Sequence, residues 1–333
     1  MEENMKHTRL PFNCGAGEAS VNVRTGRVTF MYPDFGMGSG NYAIGVGHVH
    51  NPETRYPAGV QSYTGNGWKL NLQQYIIAGD GGNGAAEGEY IYVDDGGLSH
   101  KFVPYKSIAT DSANAVVYCH DTEGLGLKLR IPGIDADYTV IDEMGADESQ
   151  ANCMNFDAYG RLTGTVSADH PDIEKTYLYE AGKLVEIYDK RKSSRKITLS
   201  YDAATGLLDN IKYLSNTDGQ KVDQRIHYYY DADANLVRIT RTVHGVTETV
   251  AYFEYTNLGD LQNPRFALQK AVDGKDFSAL ELQYSGTVSE DAVYPVEKVL
   301  LGCNKVTKKG DQILFDGITQ GDRAGWREIA IFL

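Results

Sequence analysis

Apolar and polar residues alternate with a period of two along most of this chain. Ser20-Val21-Asn22-Val23 and Val28-Thr29-Phe30 alternate about Arg24-Thr25-Gly26-Arg27, which reads as a hairpin. Tyr42 to His50 alternates cleanly, so His48 and His50 fall on one sheet face. Gly65-Asn66-Gly67 turns into Trp68-Lys69-Leu70-Asn71-Leu72, with Trp68, Leu70 and Leu72 sharing a face. Tyr90-Ile91-Tyr92-Val93, the turn Asp94-Asp95-Gly96-Gly97 and the answering Ser99-His100-Lys101-Phe102-Val103 form a further hairpin. Strands are also expected at 116–120, 125–130, 138–142, 266–270, 279–284, 293–301 and 312–315. Only 293–301 is ambiguous with a helix, and Pro295 argues there for a strand edge. The pattern predicts an all-β protein.

Between residues 155 and 261 one phrase recurs five times. It reads Phe156-Asp157-Ala158-Tyr159-Gly160-Arg161-Leu162, then Tyr179-Glu180-Ala181-Gly182-Lys183-Leu184. It returns as Tyr201-Asp202-Ala203-Ala204-Thr205-Gly206-Leu207-Leu208, as Tyr230-Asp231-Ala232-Asp233-Ala234-Asn235-Leu236, and as Tyr255-Thr256-Asn257-Leu258-Gly259-Asp260-Leu261. A period of this size marks a repeat architecture. Each phrase reads as the end of one strand, a turn, and the start of the next. Glycine takes positive φ without steric cost, and aspartate accepts backbone N–H groups two residues on. The aromatic and the leucine then flank the turn and pack across it. Where Ala234 replaces glycine, Asn235 is expected to take the left-handed position. Asp142-Glu143-Met144-Gly145 reads as a degenerate sixth turn.

The phrase resembles the YD repeat of the RHS and YD-repeat proteins: bacterial RHS proteins, shell components of Tc toxins, and teneurins. The Trp, Tyr-rich and His-x-Phe strands over 68–103 are similar to the segment that precedes the repeats in large bacterial members. The resemblance implies a curved antiparallel sheet over 126–333, part of a spiral shell, after a hairpin or sandwich-like region over 1–125. It implies an encapsulating or surface-interaction role, with protein cargo or a partner chain, outside the cell or at its surface. Neither a self-cleaving core segment nor a toxin domain is recognisable, so those activities do not carry over.

Composition supports the β reading. Tyr numbers 23 and Gly 36 against 9 Pro and 2 Trp, which suits strands joined by many tight turns. The net charge of -13 argues against a nucleic-acid surface. The one dense basic run, Lys190-Arg191-Lys192-Ser193-Ser194-Arg195-Lys196, lies between two repeats and reads as a solvated loop. Cys14, Cys119, Cys153 and Cys303 form no Cys-x-x-Cys pair, so zinc is not indicated and buried thiols are expected. No leader-like or membrane-spanning apolar run occurs, and the apolar end at Ile331-Phe332-Leu333 favours a piece of something longer.

Candidate chemistry is sparse. His48 and His50 could bind a metal, but no third ligand follows at short spacing. The glycines from Gly36 to Gly40 lack the strand-then-helix context of a nucleotide loop. Asp231, Asp233 and Asn235 open like a calcium loop, but Leu236 and Thr242 stand where Gly and Glu belong. The carboxylate pairs Asp94/Asp95, Asp135/Asp137, Asp142/Glu143 and Asp147/Glu148 sit in turn-like stretches, where a glycosidase needs two carboxyls facing a cleft. No catalytic residue, metal or cofactor is assigned. The expected role is a non-catalytic scaffold. The alternatives are a carbohydrate-binding module using Trp68, Tyr90 and Tyr92, and then a glycoside hydrolase-like enzyme.

Overall fold

The computed structural model describes residues 9–14, 17–22, 27–37, 44–79, 85–109, 115–132, 137–142, 151–168, 174–191, 195–217, 220–259, 265–274, 278–285, 296–303, 305–309, 312–316 and 327–330. All regular secondary structure among them is β-strand. A first sheet holds β1 (Arg9–Cys14), β2 (Gly17–Asn22), β3 (Val28–Met37), β4 (Ile44–His50) and β5 (Trp68–Leu70), paired antiparallel in chain order.

The second sheet starts with β6 (Tyr75–Ala78), β7 (Tyr90–Val93), β8 (Ser99–Ala109), β9 (Ala115–Asp121), β10 (Leu127–Pro132) and β11 (Tyr138–Asp142). It continues through β12 (Cys153–Phe156), β13 (Leu162–Val166), β14 (Glu174–Glu180), β15 (Lys183–Asp189), β16 (Lys196–Tyr201) and β17 (Leu208–Thr217). Then follow β18 (Gln220–Tyr230), β19 (Leu236–Val243), β20 (Val246–Asn257), β21 (Phe266–Asp273), β22 (Ser278–Tyr284) and β23 (Val296–Cys303). A separate ribbon, β24 (Lys305–Lys309) with β25 (Gln312–Asp316), precedes β26 (Arg327–Ala330), which pairs with β23. Every neighbour in this sheet is antiparallel. At its two chain ends β26 pairs with β23 and β6 with β7, and the sheet between them is long and curled. The change of sheet falls between Leu70 and Tyr75, and the ladder runs on through residue 126.

The two faces differ in polarity. One cross-strand row runs Leu199, Ile211, Ile226, all buried. The row beside it, on the opposite face, runs Glu186, Thr198, Lys212, Arg225, Thr242, Thr247. A transmembrane barrel has its apolar band outside and polar groups within, the reverse of this arrangement. No helix among the described residues is long and apolar enough to cross a membrane.

The first sheet packs on the apolar face of the second. Phe30, Trp68 and Phe253 meet at ring separations of 6.2, 6.1 and 4.8 Å, and the Tyr32 hydroxyl donates to the Val250 carbonyl. One hydrophobic cluster joins residues of both sheets, from Ala19 to Val299. Among the described residues, the chain's own N-terminal strands pack against the face that the shell resemblance leaves open to a hollow interior.

Candidate functional site

The repeat turns lie along one edge of the second sheet, because β12–β13, β14–β15, β16–β17 and β18–β19 are alternate connections in an antiparallel ladder. In each, a β-bulge falls directly before the aromatic residue, at Phe156, Tyr179, Tyr201 and Tyr230, and again at Tyr255 and Tyr284. Each aromatic pairs with a buried aliphatic residue across the turn: Leu162, Leu184, Leu208, Leu236, Leu268 and Val296. The fifth pair is thus Tyr255–Leu268. Leu261 lies outside the described residues. Tyr284 adds a sixth unit whose phrase has faded from the sequence.

Aspartates close the turns. The Asp157 carboxylate accepts from the backbone N–H of Tyr159 and Arg161, at 3.0 and 2.9 Å, and from Arg161 Nε. Asp202 accepts from Ala204 and Thr205, and Asp231 from Asp233 and Asn235. Gly160, Gly182 and Gly206 have φ of 76°, 80° and 75°. In the fifth unit Asn257 does the aspartate's work, accepting from Gly259 and Arg265. At the fourth turn the expectation fails: Ala234 itself is left-handed, at φ 62°. The Asn235 side chain is buried instead, donating to Asp231 and accepting from Asn66. That use of the amide leaves the strained backbone position to alanine.

The tyrosine hydroxyls link one unit to the one before. Tyr179 donates to the Leu162 carbonyl at 2.9 Å, Tyr201 to Leu184 at 2.7 Å, and Tyr230 to Leu208 at 2.9 Å. Tyr255 donates to Leu236 at 2.6 Å and Tyr284 to Leu268 at 2.5 Å. Burial raises the pKa of all five phenols, so they remain protonated donors.

A strap from Ser62 to Ala78 runs along this edge. The Trp68 indole donates to the Tyr255 hydroxyl at 2.7 Å, Asn66 N–H to the Ala234 carbonyl, and Leu208 N–H to the Tyr63 carbonyl. Leu162 N–H donates to the Gln74 carbonyl and Ile76 N–H to the Gly160 carbonyl. Of the three proposed glycan-binding rings, Trp68 is fully buried and Tyr92 is 5% exposed. Tyr90 is half-buried, with its ring 5.9 Å from that of Tyr138. They form no exposed platform, because the strand face that alternation groups together is turned inward.

Two buried polar clusters remain. His48 Nδ1 lies 2.5 Å from Asp34 Oδ2, which also accepts from Tyr228, and the imidazole packs at a tilt of 40° against the Tyr228 ring, 4.3 Å away. His48 and Asp34 are wholly buried. His50 sits between Trp68 and Tyr255, and desolvation lowers its pKa to about 3. No group of three or more His, Cys, Asp or Glu among the described residues is placed to hold a metal.

The second cluster ties two turns on the opposite edge. His100 Nε2 lies 3.0 Å from Asp94 Oδ2 and Nδ1 lies 2.7 Å from Glu123 Oε2. Burial lowers the His100 pKa, but the bonds to both carboxylates outweigh it and raise the value to about 9. Lys69, fully buried, donates to the carbonyls of Asp94 and Asp95, and desolvation lowers its pKa to about 8. These contacts hold the 94–98 turn against β5. Sequence reasoning missed this clamp, since its members lie 54 residues apart from Lys69 to Glu123. Cys119 is buried and Cys153 half-buried, and neither is in a disulfide among the described residues.

No family model matches the chain, and no curated protein matches it. Among solved structures, a porin-like protein from Bacteroides uniformis is similar, at 12% identity and a TM-score of 0.30. The match covers 72% of this chain and 90% of that one. A likeness at that level carries no argument about function. The resemblance to RHS and YD-repeat proteins is corrected by these comparisons, which indicate no such family. The physical reason for the recurring phrase is local. A bulge, an aspartate-closed turn, a positive-φ glycine and a flanking aromatic–leucine pair give the same letters wherever such hairpins are stacked. The shell, the cargo and the surface location implied by the family fall with it.

Proposed function

We propose that this protein is a non-catalytic β-scaffold that works through its outer surface. The observation that carries this reading is the filling of the curled sheet by β2–β5, which leaves Phe30 and Trp68 where a cargo would sit. The polar groups suited to catalysis are taken up internally: Asp34 and His48 by each other and Tyr228, His100 by two carboxylates. Two surface cavities carry one carboxylate each, Glu53 in one and Asp142 in the other, where glycoside hydrolysis needs a facing pair. The outer face, by contrast, offers Tyr229, Arg238 and Tyr252 in one cross-strand row, with the guanidinium 4.0 Å from the Tyr229 ring. Tyr and Arg are the residue types that anchor interfaces.

The test has two arms. Purified chain is assayed against chromogenic glycosides, esters and phosphates, and no turnover above buffer is expected. In source-cell extract, size-exclusion chromatography is expected to show an assembly larger than one chain. Replacing Tyr229, Arg238 and Tyr252 together by Ala should return it to monomer size at unchanged Tm. Turnover lost in His48→Gln with the fold retained, or a wild-type monomer in extract, would overturn the scaffold reading.

A further inference from the structure

The outer face of the second sheet carries an unpaired charge pattern at its first strands. One cross-strand row starts at Lys106 on β8 and runs through Tyr118, Arg130, Thr139 and Asn155 to reach Tyr188 on β15. Tyr188 stands two residues from Glu186 on one strand, so the row lies on the polar face, away from the core. From β8 to β15 it crosses eight strands, about 34 Å at the usual strand spacing. No carboxylate stands in it, in a chain of net charge -13.

Elsewhere on this face the cations are neutralised. Lys196 meets Glu186 at 2.8 Å and Lys270 meets Glu254 at 3.9 Å. Lys106 and Arg130 have no ion-pair partner among the described residues. They flank Tyr118 from the two neighbouring strands. The ammonium groups of Lys106 and Lys128 lie 5.9 and 5.6 Å from the centre of the Tyr118 ring, which holds them by its negative face. Arg130 Nε is buried and makes no hydrogen bond, so packing and not a salt bridge sets the guanidinium. Like charges gathered without a counter-ion oppose folding, and an anion bound between them would relieve that cost. Beside them Tyr105, at the β8 bulge, is 50% exposed, with its ring edge-on to His120 at 5.4 Å.

We infer that this row is a binding track for an acidic polysaccharide, its carboxylates held by Lys106 and Arg130 and its sugar rings lying along Tyr105, Asn155 and Tyr188. The geometry favours a polysaccharide over other polyanions. Lys106 and Arg130 stand two strands apart, roughly 10 Å, which suits a polymer charged on every second sugar. Successive phosphates of a nucleic acid lie closer together, and the two lysines cover the Tyr118 ring on which a base would stack. An acidic peptide strand would need a sheet edge, whereas β9 and β10 are paired on both sides. Neither this track nor the Tyr229–Arg238–Tyr252 row requires the other.

The experiment uses the full chain, with decasaccharides of hyaluronan and of polygalacturonate as probes. A neutral maltodextrin, an oligo-dT and poly-glutamate are the controls. Calorimetry at low salt is expected to show saturable binding of at least one acidic saccharide with Kd at or below about 100 µM, weakened by added salt, and none of the maltodextrin. Lys106→Gln with Arg130→Gln should weaken that binding about tenfold or more, as loss of charge-assisted hydrogen bonds does. Lys106→Glu alone, at an exposed position, should weaken it about fivefold with Tm unchanged. Lys270→Gln with Arg241→Gln removes the same charge away from the row and should leave Kd within about twofold. If neither acidic saccharide saturates, the inference fails. It also fails if oligo-dT or poly-glutamate binds as tightly as the saccharides, or if the two double variants weaken binding equally.

Discussion

Ala234 holds a left-handed backbone conformation that costs an L-residue roughly 1–2 kcal/mol, at a turn where its sister units carry glycine. Ala234→Gly should therefore stabilise the protein by about 1 kcal/mol, the relief of strain exceeding the added freedom of the unfolded chain. Urea denaturation measures it, and an unchanged or lower midpoint would contradict the assignment. Gly160 and Gly182 share the same φ range but not the same surroundings. A Cβ on Gly160 would lie 1.8 Å from the Ile76 carbonyl oxygen, whereas on Gly182 the nearest atom is the Tyr63 hydroxyl at 3.8 Å. Gly182→Ala should cost about 1–2 kcal/mol from backbone strain alone. Gly160→Ala should cost on the order of 4 kcal/mol or more, because it also forces β6 off the first repeat turn. Equal midpoints for the two variants would show that the strap does not seat there.

At the scale of the hairpin, the unit is more than a turn. Removing the hydroxyl in Tyr201→Phe or Tyr230→Phe should each lower stability by about 1 kcal/mol, since the Leu184 or Leu208 carbonyl loses its donor. The two donors sit two strands apart, roughly 10 Å, so the double variant should show the sum of the singles. If neither single variant moves the denaturation midpoint, the ladder contributes nothing. The turn chemistry was legible in the sequence because it is local: Asp157, Gly160 and Leu162 meet within seven residues. The hydroxyl ladder was not, because its acceptors are backbone carbonyls 16 to 22 residues upstream, and a carbonyl has no letter. Period-two alternation correctly grouped Trp68 with Leu70, and His48 with His50. It does not say which side of the strand faces water, and Trp68 and Tyr92 lie in the core, where the alternative glycan-binding reading needs them exposed. The cavity at Glu53 was still less legible, since it needs residues 27, 50 and 266 together.

Over the whole molecule, stability depends on pH through buried groups that pull in opposite directions. His50 titrates near 6.5 when unfolded and near 3 when folded. Folding thus disfavours its protonated form, and stability falls as pH drops below about 6.5, by about 2 kcal/mol at pH 5. His100 is the reverse. Its folded value of about 9 exceeds the unfolded 6.5, so its contribution is full below 6.5 and is lost as pH rises through 9. Lys69, lowered from 10.5 to about 8, regains stability as pH climbs from 8 towards 10.5. Chemical denaturation from pH 4 to 10 should show His50→Phe flattening the acid limb and His100→Gln removing the fall between 6.5 and 9. An acid limb unchanged in His50→Phe would mean that the ring is not buried neutral.

The hydroxyl ladder also has a direction. Every donor belongs to the later hairpin and every acceptor to the earlier one, and Phe156, at the head of the row, has no hydroxyl to give. A chain emerging from the ribosome therefore meets each new tyrosine with its acceptor already made. Growth from the N-terminal end latches unit by unit, while growth from the other end would leave each tyrosine waiting. The arrangement is a one-way ratchet for assembly, with its starting tooth filed off.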